Sequence, residues 1–233
     1  MKKILLVFGL AIAGLAANAQ SEFKPTKGDV TTEFGLTGGV LNSNFNLNEA
    51  GSLLRFRYFT QEKTAVRLGF NLSSTKETAN AYGPNGETGS VKRSQTEFLL
   101  NLGLEKHFTG TERLSTYVGG DILFAYANGK QDYSNSTNNF ASPVYQANVS
   151  GERKGPSTLG VGLRAVAGAD YYFTKKVYLG VEGGFGFLYQ KQGKTTTTNT
   201  NPAGSTTVTT ESAGNSFSIE PSVITGVRIG FVF

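Results

Sequence analysis

Arg55, Arg57, Arg67, Arg164 and Arg228, together with Glu33, Glu97, Asp121, Glu182 and Glu220, are the residues of this sequence best placed to do chemistry. Each lies on a polar face otherwise made of Gly, Ser, Asn and Thr, and alternates with apolar neighbours. Matched guanidinium and carboxylate groups on such faces predict ladders of ion pairs in a narrow interior, where leaving a charge unpaired costs about 3–5 kcal/mol. Arginine suits the task better than lysine, because its planar fork can bind two carboxylates. The lysines stay in the N-terminal region, turns, loops and segment ends.

Little else is reactive. The single histidine, His107, falls in a short turn without an evident Ser–Asp partner set and reads as solvated surface. The chain has no Cys, and no His/Cys cluster is available for a transition metal. Glu49, Glu87, Asp132 and Glu152 are spread over different loops, so they do not define a calcium site. The pairs Gly38-Gly39, Gly119-Gly120 and Gly183-Gly184 precede no helix and are not phosphate loops. The sequence therefore predicts no enzyme: no catalytic residues, no cofactor and no metal.

The elements that must position the charges are strands. In 217–233, Phe217, Ile219, Val223, Val227, Ile229, Phe231 and Phe233 share one parity. Ser216, Ser218, Glu220, Ser222, Gly226, Arg228 and Gly230 share the other. A period of two marks a strand with one apolar and one polar face. Seven more segments alternate in the same way, around 30–40, 54–58, 66–73, 97–105, 114–126, 158–171 and 177–190. An even number of antiparallel strands closes without a free edge. The connections at 60–64, 106–113 and 174–176 are short, whereas 42–51, 74–92, 128–156 and 191–215 are longer. Such asymmetry is the pattern of a membrane barrel with its short turns in the periplasm.

Lys2 and Lys3 precede an apolar run from Ile4 to Ala17 that ends in Ala17-Asn18-Ala19. The run is shorter than the ~20 residues a spanning helix requires, so 1–19 reads as a secretory signal peptide. Residues 20–28 then form a periplasmic N-terminal tail and 29–233 one barrel domain. Loss of Lys2 and Lys3 takes the formal charge from +5 to +3, and no basic stripe suggests nucleic-acid binding. Glycine, at 30 of 233 residues, is about twice its usual frequency of ~7%. Tyr58, Phe59, Tyr171, Tyr172, Phe173, Tyr178, Phe231 and Phe233 suggest one aromatic girdle. Phe70, Phe124, Tyr126, Phe187, Tyr189 and Phe217 suggest the other.

With its signal-like start, its eight alternating segments and its ending Gly226-Val227-Arg228-Ile229-Gly230-Phe231-Val232-Phe233, the chain resembles the small eight-stranded OmpA/OmpX-like outer-membrane barrels of Gram-negative bacteria. The resemblance implies an all-β, eight-stranded antiparallel up-and-down transmembrane β-barrel in the outer membrane, with both termini periplasmic. It also implies that Val227, Ile229, Phe231 and Phe233 form a signal read by the barrel-assembly machinery. The expected partners are outer-membrane lipid, that machinery and an extracellular ligand at the loops. The role expected is structural or cell-surface interaction around a side-chain-filled lumen; a narrow or gated pore for ions or small solutes is the alternative. Thr195 to Thr200 and Thr206 to Glu211 are β-prone, and Asn201-Pro202-Ala203-Gly204 reads as a turn between them. They predict a hairpin extending the last two strands beyond the membrane and binding partners by strand addition.

Overall fold

The computed structural model describes residues 23–35, 54–212 and 214–233, with the backbone alone described at 212 and 220–227. The signal segment 1–19, the tail residues 20–22, the first strand beyond Gly35 and the loop 42–51 lie outside the described residues. The elements are β1 (Val30–Gly35), β2 (Leu54–Gln61), β3 (Thr64–Tyr82), β4 (Thr88–Phe108), β5 (Leu114–Ser136) and β6 (Tyr145–Lys154). They continue with β7 (Thr158–Thr174), β8 (Val177–Gln192), β9 (Lys194–Thr200), β10 (Thr206–Ser212) and β11 (Asn215–Val232).

Eight of these strands, β1, β2, β3, β4, β5, β7, β8 and β11, form an antiparallel ring. The pairing of β1 with β11 closes it, with Thr31 opposite Val232 and Glu33 opposite Gly230. The fold is an all-β, eight-stranded up-and-down barrel. Where β1 is described, closure pairs it on both sides, with β11 and β2, and the pairing of strand edges is the condition for spanning a bilayer with strands.

The two faces of the ring are inverted relative to a water-soluble barrel. Arg55, Arg57, Arg67, Glu105, Asp121, Arg164 and Glu182 are buried inside. Leu68, Leu102, Leu104, Ile122, Phe124, Val161, Leu163, Val181 and Phe187 are exposed outside. Among the described residues, Lys106 marks one border of this outer apolar band, and Lys76, Lys92, Lys130 and Lys191 mark the other. Water could not stabilise such a surface, whereas a hydrocarbon layer can. The end carrying the short turns and both ends of the described chain is the near end below; the opposite end is the far end.

Phe124, Tyr126, Phe187, Tyr189 and Phe217 of the far-end girdle are exposed outside, whereas the near-end girdle divides by parity. Tyr58, Tyr171, Phe173, Phe231 and Phe233 are exposed on the outside at the near end, but Phe59, Tyr172 and Tyr178 point inward and are buried. The inward set occupies the polar parity, so aromatic type alone misled. The tail also turns inward. Gly28 N donates to Phe59 O at 2.8 Å, Pro25 is buried, and Phe23 packs on Tyr172, Tyr178 and Val232.

Beyond the far border, most of the segments expected to be long loops are strands. The β3–β4 pairing continues to Tyr82 opposite Thr88, and β4 stays paired with β5 as far as Ser90 opposite Ser134. The upper half of β5 then pairs with β6, β6 with β9, and β9 with β10. The result is a sheet rising roughly 30 Å above the band, at about 3.4 Å per residue over ten residues of β3. The hairpin β9–β10 forms with Thr200 opposite Thr206, and its turn is held by Ser205 N donating to Asn201 Oδ1 at 2.9 Å. It extends the last two barrel strands, since Lys194 opposite Ser212 continues the register of Lys191 opposite Asn215, and its β9 also pairs with β6. Val91 and Ala81 are buried on one face of this sheet, and the Tyr133 hydroxyl donates to Asn199 Oδ1 at 2.6 Å.

Leu100 lies on the outer parity between Phe70 and Phe124. Leu100→Arg is expected to destabilise the folded barrel by about 2–4 kcal/mol. A urea titration of the refolded protein in lipid bilayers measures this; an unchanged midpoint would show that the band does not contact hydrocarbon.

Candidate functional site

The interior face is built by alternation, so each strand offers one inward side chain every second residue. Strand β2 supplies Arg55 and Arg57, β3 supplies Arg67, β7 supplies Arg164 and β11 supplies Arg228. The carboxylates are Glu33 on β1, Glu105 on β4, Asp121 on β5, Asp170 on β7 and Glu182 on β8. Small inner residues make room for them. A Cβ on Gly103 would collide with Asp121 Oδ1, and one on Gly230 would collide with the Tyr178 ring.

Glu182 is the hub. It accepts from Arg55 Nη1 and Nη2, both at 3.0 Å, and from Arg67 Nη1 at 2.8 Å and Nη2 at 3.2 Å. Arg228 Nη1 at 3.3 Å and the Tyr117 hydroxyl at 2.8 Å also donate to it. Arg67 continues to Asp121 through Nη2 at 2.9 Å, and Asp121 accepts from Arg164 Nε at 2.9 Å and Nη2 at 2.5 Å. Below the hub, Arg57 joins Asp170 at 2.8 Å, Glu105 at 3.1 Å and Glu33. Glu33 also binds Arg55 at 3.2 Å and Arg228 at 3.1 Å, and accepts from the Tyr178 hydroxyl at 2.8 Å. The Arg57 guanidinium lies 5.1 Å from the Tyr178 ring centre and 5.6 Å from that of Tyr117.

The structure thus brings together Glu33, Arg55, Arg57, Arg67, Asp121, Arg164, Glu182 and Arg228. Glu97 is only half-buried and stands further toward the far end, opposite Ser73 and Ala127. The side chain of Glu220 lies outside the described residues. Glu105 and Asp170 join the network although arginine-centred reasoning from the sequence does not select them. Both occupy the polar parity of their strands, and that parity is the signal that could have found them.

His107 is a correction. It is not a solvated turn residue but an inward residue of β4, buried between the rings of Phe59 at 5.1 Å and Tyr117 at 5.2 Å. Its Nδ1 lies 3.0 Å from Ser115 Oγ and its Nε2 lies 3.1 Å from Glu105 Oε2. A ring nitrogen facing a carboxylate carries the proton, so in the neutral ring Nδ1 accepts from the Ser115 hydroxyl. The order Ser–His–Glu is that of a hydrolytic triad. Glu105, however, is already neutralised by Arg57 at 3.1 Å and Arg67 at 2.6 Å, so the chain reads as polar packing around one ring.

At the end of β11, Phe231 and Phe233 are exposed on the outer face and Ile229 is half-buried, while the side chain of Val227 lies outside the described residues. Phe233 N donates to Val30 O at 2.8 Å, which carries the ring's closing ladder to its last residue.

An apolar band outside, charges paired inside and closure by eight strands define an integral membrane β-barrel of the bacterial outer-membrane, porin-like class. The model of the "Putative OmpA-OmpF-like porin family" matches residues 42–233, and the chain belongs to that family. It is similar to the solved structure of a major outer membrane protein from Thermus thermophilus, with 12% identity, 88% of this chain and 98% of that chain covered, and a TM-score of 0.42. It is also similar to the outer membrane protein OprG from Pseudomonas aeruginosa, with 14% identity, 92% of this chain and 99% of that chain covered, and a TM-score of 0.36. No curated protein matches the chain.

Removing the hub charge tests the network. Glu182→Gln leaves Arg55, Arg67 and Arg228 short of a shared partner and should cost about 3–5 kcal/mol. Glu152→Gln, at an exposed pair with Lys130 and Lys154, should leave the denaturation midpoint nearly unchanged. Equal effects from the two substitutions would refute the network's structural weight.

Proposed function

We propose that this protein is an outer-membrane barrel whose lumen is filled and whose role is carried by the sheet projecting from its far end. On this reading 1–19 is removed as a signal peptide, the near end with both termini faces the periplasm, and the projecting sheet faces the cell exterior. The alternation of short near-end turns with long far-end elements supports that orientation.

The observation that carries the proposal is the ion-pair network crossing the lumen. Glu182 on β8 contacts arginines of β2, β3 and β11 at once, so side chains from across the ring meet at the axis. An eight-stranded barrel has an interior just wide enough for such filling. Toward the far end, Leu123 and Leu188 pack together and are fully buried. These features argue against general diffusion and for a structural or cell-surface interaction role.

The partner surface is the sheet's outer edge. Among the described residues, β10 pairs only with β9, and its residues from Thr206 to Glu211 are exposed. That strand carries no Lys and no Pro, the residues that usually guard an edge against pairing. An extracellular ligand presenting an extended segment would add to it by main-chain hydrogen bonds.

Single-channel recording in a planar bilayer tests the filled lumen. A silent barrel, shown to be inserted, is expected. Steady conductance steps would overturn it and favour the second reading, a narrow or gated pore for ions or small solutes, which the family's porin name also supports. For assembly, deletion of Phe233 should lower the amount of barrel recovered in the outer membrane through lost recognition by the assembly machinery. Recovery at the normal level would exclude Phe233 from that signal.

A further inference from the structure

A small cavity opens at the near rim of the barrel, away from the arginine hub. It is lined by Lys24, Thr26, Lys63, Thr109, Ser115 and the His107 ring, with Phe59 and Phe108 as apolar walls. Lys24 is not carried on a loose tail. Its neighbour Phe23 packs on Tyr172, Tyr178 and Val232 and lies 4.4 Å below the Arg113 guanidinium, while Pro25 on the other side is buried. Lys63 is held from the β2–β3 turn by donating to Thr109 Oγ1 at 2.8 Å.

Two lysines therefore line one cavity, Lys63 with its ammonium held by a hydrogen bond and Lys24 on an anchored backbone. Glu62 lines it too, yet among the described residues neither lysine forms an ion pair. Fixing like charges together is unfavourable without a counter-charge between them, and partial burial adds to the cost. Both effects lower the affinity of Lys24 for its proton, burial first and the Lys63 charge second. Hydroxyls from Thr26, Thr109 and Ser115 offer further polar contacts around the same space. Phe108 is exposed on the outer face, so the cavity meets the lipid-facing surface at the band's edge.

We propose that this cavity binds a phosphate group, carried by a lipid headgroup in the adjoining leaflet or by a free phosphorylated solute. A paired lysine site suits phosphate, since each ammonium acts as a point charge on an anion with several acceptor oxygens. The apolar walls and the position at the rim match a headgroup whose chains leave along the band. The assignment is independent of the role of the projecting sheet.

The full-length mature protein, refolded in maltoside micelles, would be titrated with inorganic phosphate and with short-chain phosphatidylglycerol, and bound equivalents counted by native mass spectrometry. One saturable equivalent of the lipid is expected. Lys24→Gln combined with Lys63→Gln should weaken it at least tenfold, whereas Lys106→Gln, at the same rim but outside the cavity, should change it less than twofold. Heat-modifiable gel migration confirms that each variant is folded. Displacement of the lipid by inorganic phosphate would support the site and assign it to free phosphorylated solutes as well. Lipid binding indifferent to phosphate would support it as a headgroup site. Absence of saturable binding by either probe, or wild-type affinity in the double variant, would overturn the proposal.

Discussion

The interior of this barrel rests on the desolvation of charge. A carboxylate taken out of water is tolerable only where opposite charge and hydrogen bonds replace its hydration. Glu182 meets that demand by drawing on Arg55, Arg67 and Arg228, which come from three different strands. The same contacts that neutralise it tie β8 to β2 and β3 as well as to its direct neighbour β11. In a water-soluble domain, apolar packing joins elements that are not adjacent. Here the apolar residues are turned outward, and ion pairs take over the joining. The small inner glycines follow from this: Gly103 and Gly230 leave the space that Asp121 and Tyr178 occupy.

How much of this was readable in the sequence follows from where each environment changes. Alternation is strong when a strand has lipid on one side and a polar interior on the other, so the barrel strands were legible from Leu68, Leu102, Val161 and their partners. Arginine on the polar parity pointed to the interior network and to most of its members. Glu105 and Asp170 had the same parity, and what separated them from a chosen residue was only the assumption about which charges meet. Tyr172 and Tyr178 were misplaced for a related reason. Their large rings suggested an interface, but their parity put them inside, where the Tyr178 hydroxyl lies between Arg57 and Glu33.

The projecting sheet was less legible because both of its faces are polar over most of its length. Lys76, Glu77 and Thr78 on β3 alternate in direction without alternating in chemistry, so a period of two leaves no hydrophobic trace. Only the Thr-rich β9 and β10 announced themselves, through β-propensity and a turn with Gly204 at φ 82°. Their place beside β6 depends on non-local pairing that local sequence does not encode. His107 was similarly hidden. A lone polar residue near a turn reads as surface, and its burial between Phe59 and Tyr117 is visible only once strands distant in sequence are assembled.

The pairing of β1 with β11 has a consequence for how the molecule comes to exist. Arg228 and Glu33 are 195 residues apart in sequence, yet they share a hydrogen bond in the lumen. Until β11 arrives, Glu33 and Glu182 both lack one of their guanidinium groups, and the edges of β1 and β8 stand open. Contacts of such separation form slowly, because a long loop must close before any of them contributes. The seam that seals the ring also brings Arg228 to Glu33 and Glu182. Without Arg228 the five buried carboxylates among the described residues, Glu33, Glu105, Asp121, Asp170 and Glu182, face four guanidinium groups, so the last strand to pair also carries the fifth arginine.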